Sequence, residues 1–440
     1  MDKEATFEAF FDLIHLDSAE AYKSGLEGIA RTLNKEFYDS SDSSEHLILV
    51  GSAGRGTAVV GASDVDVIFD LPDLIYKQFD NYETNGQSAL LQKVKETLAG
   101  RYPRTEMRAD GQVIVIVFTD RNYSIELVPA FRQKDDSFLF PDTHDGGSWK
   151  KTEPFSEQEA SSQINEETSG VYSRFCNALR VWRDTQGFVF GGLLIDTLVY
   201  NYINKDEQLG EAFGGDYIES FKRLFDQLSR ENPSQSYWLA LGSNQQIKNK
   251  EDAAFVERAK KASDMLAEAS TEWKLEGALC DLFGKRFKDS LASSEIGSQV
   301  NKWCEVNDFE SREEFIEDLY PVAIRYPLVI DCKVTQDGFR SQLLSKILSD
   351  RGFLRKQRSL EFYIVTKKSA IPKSGEIRWK VRNCGEVAYR KGMVRGEIIK
   401  GNGHWSHTEN ADFDGPHFVE CYCIQNGICV ARARIDVPIA

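Results

Sequence analysis

The chain has 440 residues, 41% of them hydrophobic, and a formal net charge of −15. That length supplies ample packed core and suggests two or three domains, while the longest unbroken apolar run, VIVIVF at 113–118, is too short to cross a bilayer. Eight cysteines, behind an N-terminus (MDKEATFEAFFDLIHL) that reads as an amphipathic helix and lacks the basic-then-apolar pattern of a leader, suit reduced thiols in a cytoplasmic protein with no membrane partner.

The charge is unevenly spread. Residues 351–440 hold 16 Lys and Arg against 9 Asp and Glu, whereas the remaining 350 residues hold 38 against 60. An acidic body is a poor surface for long nucleic acid, whose phosphates require arrays of basic side chains. Small nucleotides stay open to it, because bound metal ions offset charge within a pocket. The basic tail reads as a separate unit with ligands of its own.

In chain order, residues 5–40 read as helix, with Tyr22, Leu26, Ile29, Ala30, Leu33 and Phe37 at helical spacing. HLILVGS (46–52) is a short strand ending in a Gly-rich loop, and DVDVIFDLP (64–72) is a strand stopped by Pro72. SALLQKVKETLAGRYP (88–103) is a helix, and GQVIVIVF (111–118) and YSIELVPAF (123–131) are strands separated by the turn TDRN. A mixed sheet with helices follows for residues 40–150. From 155 to 310 the periodicity is helical. Beyond Tyr320, LEFYIV, EIRWKVRN, VRGEIIK, HFVECYCI and ICVARARIDVPI are strands, and Gln425-Asn426-Gly427 marks a hairpin with a type I′ turn.

The stretch GSAGRGTAVVGASDVDV (51–67) concentrates the chemistry. Gly51 permits a tight turn and close approach to a ligand. Ser52, Gly54, Gly56 and Thr57 continue a loop whose N–H and hydroxyl groups can cradle phosphate. Asp64 and Asp66, two apart on a strand, project from one face. Two neighbouring carboxylates repel unless a cation lies between them, and hard oxygen ligands suit Mg²⁺ or Mn²⁺. Glu126 is a lone acid in the apolar run SIELVPA, costly to bury unless paired or metal-bound. If its strand lies beside the Asp strand, three carboxylates converge as two-metal nucleotidyl transfer requires.

These residues resemble the signature of the DNA polymerase β-like nucleotidyltransferases: Gly-Ser, a spacer, Asp-x-Asp and a later acid. The stretch looks most like the branch that holds the oligoadenylate synthetases and the bacterial CD-NTases. The resemblance implies that Gly51 and Ser52, with Arg55, Thr57 and Ser63 beside them, meet the donor triphosphate, and that Asp64, Asp66 and Glu126 hold metal and catalyse. NALRVWRD (177–184) resembles the helix that offers a basic residue to the phosphates, here Arg180; where relatives follow with a serine, this chain has Gly191-Gly192. WKLEGALCDLFGKRF (273–287) resembles the helix that closes the catalytic unit. IRWKVRNCGEVA, RGEI and GPHFVECYCIQNGICVARARIDV resemble the AGS-C domain, which is fused to such synthases and implies a small ligand there.

The fold class expected is therefore α+β: a polymerase β-like core of mixed sheet and helices at 1–150, a helical domain at 151–315, and a small antiparallel β-rich domain at 316–440. The function implied is Mg²⁺-dependent condensation of nucleoside triphosphates into a cyclic or short linear oligonucleotide messenger, as in bacterial antiphage signalling, with effector or regulator proteins as partners. An RNA-end nucleotidyltransferase of the CCA-adding or poly(A) type and a catalytically silent nucleotide sensor are the competing functions. In the tail, Arg378, Lys380 and Arg382 read either as a phosphate site or as a solvated sheet face. His404, His407 and His417 with Cys421 and Cys423 read either as zinc ligands or as surface histidines and core thiols; both cysteines share one strand face, unlike the turn-borne pairs of structural zinc sites.

Overall fold

The computed structural model describes residues 2–16, 20–61, 64–118, 123–205, 215–249, 253–293, 313–336, 338–350, 352–383, 388, 392–401, 405–412 and 414–440. The TDRN turn, Ser63, Cys384 and His404 lie outside them. The described residues form two compact units, one comprising Phe11–Arg180 and Phe190–Ser263, the other Met1–Phe10, Val181–Val189 and Asp264–Ala440. None of their helices is long and apolar enough to cross a membrane.

The expected N-terminal helix is two helices, α1 (Lys3–Ile14) and α2 (Glu20–Tyr38). After them come β1 (Leu47–Leu49), one helical turn α3 (Gly51–Gly54), β2 (Asp64–Asp70), α4 (Asp73–Asp80), α5 (Gly86–Arg101), β3 (Glu106–Asp110), β4 (Val113–Phe118), β5 (Tyr123–Arg132), β6 (Phe138–Asp142) and β7 (Ser148–Thr152). The strands run in the order β1-β2-β5-β4-β3, and β6 and β7 extend from the end of β5. The sheet is mixed, as expected: β2 and β5 are parallel, and β1 and β4 pair antiparallel to them.

Helical periodicity decides which side of this sheet is covered. Tyr22, Ile29 and Leu33 of α2 and Leu90, Leu91, Val94 and Leu98 of α5 pack on Val65, Val67, Phe69, Ile125 and Leu127 in one core. The chain then continues through α6 (Pro154–Glu167), α7 (Val171–Gln186), α8 (Gly192–Asn204) and α9 (Tyr217–Ser229). Within the region expected to be helical, β8 (Tyr237–Leu239) pairs with β9 (Gln246–Lys248). Gly242 and Asn244 take left-handed backbone there, a conformation these residue types tolerate best, and this reverses the chain where the apolar periodicity alone suggested helix. α10 (Phe255–Glu268) completes this stretch.

In the second unit, α11 (Glu272–Ser293) is broken at Gly284 (φ +67°). A Cβ there would press on the Thr185 side chain. Phe7 and Phe10 stack edge-on and tilted against Phe287 and Phe283, with centroids 5.3 and 5.2 Å apart. Two antiparallel four-stranded sheets follow. One has the order β11-β10-β12-β15, from β10 (Ile330–Thr335), β11 (Gln342–Leu343), β12 (Ser359–Ile364) and β15 (Ser406–Asn410). The other is β14-β13-β16-β17, from β13 (Glu376–Arg382), β14 (Ile398–Lys400), β16 (Gly415–Gln425) and β17 (Ile428–Ile439). Both contribute to a single core around Phe362, Trp379, Val419 and Cys421. Asn426 and Gly427 both have positive φ at the expected hairpin.

Two readings of the tail are corrected. Arg378, Lys380 and Arg382 form neither a phosphate site nor a solvated face. Lys380 is 2% exposed and pairs with Glu313 at 2.8 Å and Glu420 at 3.5 Å, while Glu313 also takes Arg382 and Glu376 takes Arg378. His407 and His417 are buried rather than on the surface, in β15 and β16 of different sheets. His407 Nε2 lies 2.6 Å from Glu409. Cys421 and Cys423 are core thiols, their pKa values pushed up by burial.

Buried carboxylates hold this unit together through their cations. Burial alone would raise the Glu420 pKa, but Arg432 and Lys380 outweigh it and bring it down to about 2; the hydrogen bonds from His407 and Arg395 likewise outweigh burial at Glu409 and bring it to about 2. Such groups stabilise above the ordinary carboxylate range and lose that contribution as the pH falls through the folded pKa. Stability of this unit, followed by urea denaturation, is therefore expected to hold above about pH 5 and to drop between pH 4.5 and 2. Glu420→Gln, which leaves Lys380 and Arg432 short of a counter-charge, is expected to cost about 3–5 kcal/mol near neutral pH.

Candidate active site

Parallel pairing of β2 with β5 aligns the acids. Asp66 stands opposite Glu126 and Asp64 opposite Ser124. Because alternate residues face opposite sides of a strand, Val65, Val67, Ile125 and Leu127 enter the core beneath the helices. Asp64, Asp66 and Glu126 remain half-buried on the other face. Farther along that face Ile68 packs with Val50, Ala130 and Phe138.

The turn after β1 is fastened to the same place. The Val50 N–H donates to the Asp66 carbonyl at 2.9 Å, and the next residue, Gly51, has φ +63°. A Cβ on Gly51 would overlap the Asp66 carboxylate, so glycine is required both for its backbone angle and for the close approach. The expected loop of free donors is corrected here. The N–H groups of Gly54, Arg55, Gly56 and Thr57 donate to the carbonyls of Val50, Gly51, Ala53 and Ser52, which closes the turn. The N–H groups at its start, those of Gly51 and Ser52, have no intrahelical acceptor.

Three residues expected at the nucleotide, Arg55, Thr57 and Arg180, all meet Asp196 of α8, which is fully buried. Arg55 Nε donates to Asp196 Oδ2 at 2.8 Å and Thr57 Oγ1 donates to the same oxygen at 2.9 Å. The Arg180 guanidinium donates to both carboxylate oxygens, at 2.7 and 2.9 Å, and to the Gly192 carbonyl at 3.2 Å. Arg55 also pairs with Glu157 at 3.4 Å. Arg180, at 3% exposure, is thus committed to a buried carboxylate. The reason is electrostatic: a buried carboxylate is tolerated only with compensating cations. Burial raises the Asp196 pKa, but Arg180 and Arg55 outweigh it and hold the carboxyl below the ordinary range. Burial pushes the Glu157 pKa up. Asp196 was legible in the sequence, since it is a lone acid in the apolar run GGLLIDTLVY, the same signal that singled out Glu126.

The donor set suits a divalent cation. It comprises three hard carboxylates on adjacent strands, two of them in direct register beside the turn. The side chains are aligned by the backbone and not drawn together, for among the described residues no three His, Cys, Asp or Glu side chains are gathered closely enough to share one ion. The fit therefore lies in chemistry and register.

A mixed sheet that carries Asp-x-Asp beside a third acid, next to a Gly-Ser turn, is a nucleotidyltransferase-type fold. Two solved structures of Escherichia coli MS115-1 CdnC share the fold. The structure with ATP is 14% identical, with a TM-score of 0.50, and the match covers 65% of this chain and 99% of that one. The CdnC:HORMA-deltaN complex is 13% identical, with a TM-score of 0.50, over 65% and 98%. A Bacillus cereus (strain VD146) protein named "Probable cyclic nucleotide synthase" is 20% identical over 159 residues, which is 34% of this chain and 47% of the relative. The chain thus spans about half the length of that curated relative. Residues 1–165 match the Second Messenger Oligonucleotide or Dinucleotide Synthetase domain, and residues 310–440 match the Adenylyl/Guanylyl and SMODS C-terminal sensor domain. Residues 1–165 thus belong to the synthetase-domain family and residues 310–440 to the AGS-C sensor-domain family.

Gly51 and Gly56 separate two effects that glycine combines. Both have positive φ, but a Cβ on Gly56 would meet nothing within 4 Å. Each alanine substitution is expected to cost about 1–2 kcal/mol from the left-handed backbone, measured by urea denaturation. Only Gly51→Ala, by displacing the Asp66 carboxylate, is expected also to abolish binding of a nucleoside triphosphate, measured by calorimetry.

Proposed function

We propose that this chain is a divalent-metal-dependent nucleotidyltransferase that condenses nucleoside triphosphates into a cyclic or short linear oligonucleotide messenger and releases pyrophosphate. The carrying observation is the register of Asp66 with Glu126 directly beside the Gly51 turn. The domain family of residues 1–165, described by its second-messenger products, supports the same reading, as does the solution of CdnC with ATP.

In this proposal Gly51 and Ser52 hold the donor triphosphate through backbone N–H groups and the hydroxyl. Asp64, Asp66 and Glu126 would hold Mg²⁺ or Mn²⁺, which when bound supplies positive charge against the triphosphate and the attacking hydroxyl. A 2′ or 3′ hydroxyl of the acceptor nucleotide gives up its proton to a carboxylate of the set or to water, its oxygen forms a bond to the α-phosphorus, the bond from that phosphorus to the bridging oxygen breaks, and pyrophosphate leaves with the charge. The carboxylates fix the geometry of that exchange, which is where enzymes of this kind gain most of their rate. The working parts are a catalytic core at 1–150, a helical part at 151–315 and a sensor for a small ligand at 316–440. The role is a cytoplasmic one in antiphage signalling, with a regulator protein as partner, as the CdnC:HORMA-deltaN complex illustrates for CdnC. Commitment of Arg55 and Arg180 to Asp196 removes two cations from any surface that could bind RNA, which disfavours an RNA-end nucleotidyltransferase.

The full chain, incubated with all four nucleoside triphosphates and Mg²⁺ or Mn²⁺, is expected to give an oligonucleotide product by mass spectrometry. Asp64→Ala combined with Asp66→Ala is expected to reduce it about 10³-fold or more. Absence of product from the unaltered chain, or equal product from the double variant, overturns the reading.

A further inference from the structure

We propose that Asp196 is a positioning residue for the triphosphate-binding turn. Its buried carboxylate clamps residues 51–57 in the shape that substrate requires, and Arg55 and Arg180 serve that clamp instead of the phosphates. The inference rests on the reading that this turn holds a nucleoside triphosphate.

Arg180, Arg55 and Thr57 give the Asp196 carboxylate four hydrogen bonds, and they come from two separate places. Arg180 supplies two of them from α7. The other two come from the residues just past the turn, through Arg55 Nε and Thr57 Oγ1. One carboxylate thus ties the exit of the turn to the helical part of its own unit. Further bonds fix the same segment. Ser161 Oγ donates to the Arg55 carbonyl at 2.9 Å, and Gln158 Nε2 donates to the Leu49 carbonyl, just before the turn, at 2.9 Å. A Cβ on Gly54 would collide with that carbonyl and with Gln158. The turn is therefore held at its entry by Gln158 and the Val50 bond to Asp66, and at its exit by Asp196 and Ser161.

The charges close on themselves. Two guanidinium groups face the carboxylates of Asp196 and Glu157, with side-chain exposures of 6% for Arg55, 4% for Arg180, 7% for Glu157 and 0% for Asp196. A cation shared with an incoming triphosphate would have to leave a buried carboxylate uncompensated, which is costly. Asp196 touches no reacting atom. It acts through the turn, whose start carries Gly51 against the Asp66 carboxylate. Released at its exit, the turn is free to shift relative to the acids, and displacements of about 1 Å cost about 10²-fold in rate.

A purely structural salt bridge and a positioning clamp respond differently to removal of both charges. Asp196→Asn leaves Arg180 and Arg55 without their main counter-charge, so both stability and function are expected to fall. In Asp196→Asn combined with Arg180→Met, the unpaired buried cation at 180 is gone and stability is expected to return close to the original. The tie from Arg55 and Thr57 to a carboxylate is still missing, so binding is expected to stay impaired. The full chain is used, with α,β-methylene ATP and Mg²⁺ as the binding probe by calorimetry, urea denaturation for stability, and steady-state turnover with nucleoside triphosphates. The expected result is affinity for the probe about tenfold or more weaker in both variants, KM raised in parallel, and stability recovered only in the double variant. Probe affinity and KM that recover together with stability would reduce Asp196 to a fold-stabilising pair and overturn the proposal. Unaltered chain that binds the probe and forms product, together with an Asp196→Asn variant of unchanged affinity, overturns it as well and leaves the reading of the site intact. Unaltered chain that neither binds the probe nor forms product overturns both.

Discussion

The parallel pairing of β2 with β5 is the constraint on which the candidate site depends. Parallel neighbours at one register share a face, so a single backbone ladder decides that Asp66 and Glu126 stand side by side while Val65, Val67, Ile125 and Leu127 go to the core. A slip of β2 by one residue would turn Asp64 and Asp66 to the core and Val65 and Val67 away from it. The core thus enforces the register that the acids need, and α2 and α5 enforce the core. Gly51 adds a second restriction, since the turn can approach β2 only because no Cβ competes with the Asp66 carboxylate for the same space.

Both units bury carboxylates, and both resolve the cost in the same way. Asp196 is met by Arg180 and Arg55, and Glu420 by Arg432 and Lys380. Each acid also takes a hydroxyl, from Thr57 in the first case and from Tyr422 in the second. Arrangements of this kind rarely add net stability over an apolar core of the same shape, but they are severe about geometry, because every partner must arrive. In the first unit this severity falls on the residues beside the candidate site. In the second it joins Glu313 and Glu317, ahead of the sheets, to β13, β16 and β17.

Much of this was legible in the sequence because it depends on local pattern. Alternation placed β2, β4 and β5, Asn426-Gly427 placed the last hairpin, and the lone acid in SIELVPA selected Glu126. What escaped was whatever depends on a distant partner. Arg180 shows no sign in NALRVWRD that Asp196 lies across from it, and Arg378, Lys380 and Arg382 alternate like a solvated face until Glu313, Glu376 and Glu420 are brought to them. The GSAG turn read as open loop because glycine lowers helical propensity, whereas its N–H groups close a helical turn. The β8–β9 hairpin escaped because its strands are short and its reversal depends on the left-handed backbone of Gly242 and Asn244.

The strand order also has a consequence for how the molecule is made. β5 is synthesised after β1 to β4, yet it occupies the middle of the sheet, between β2 and β4. Until it inserts, β2 and β4 have unsatisfied edges facing one another and Asp66 has no neighbour. The pairing of β5 with β4 is a local hairpin, but its pairing with β2 is non-local, and loop-closure entropy must be overcome before those contacts repay it, so that step is slow compared with the hairpins. Assembly of the three acids and completion of the sheet are accordingly one kinetic event. A nascent chain cannot present the full carboxylate set before its central strand is in place, and a chain interrupted before residue 123 leaves an open sheet with two exposed edges of the kind that aggregates.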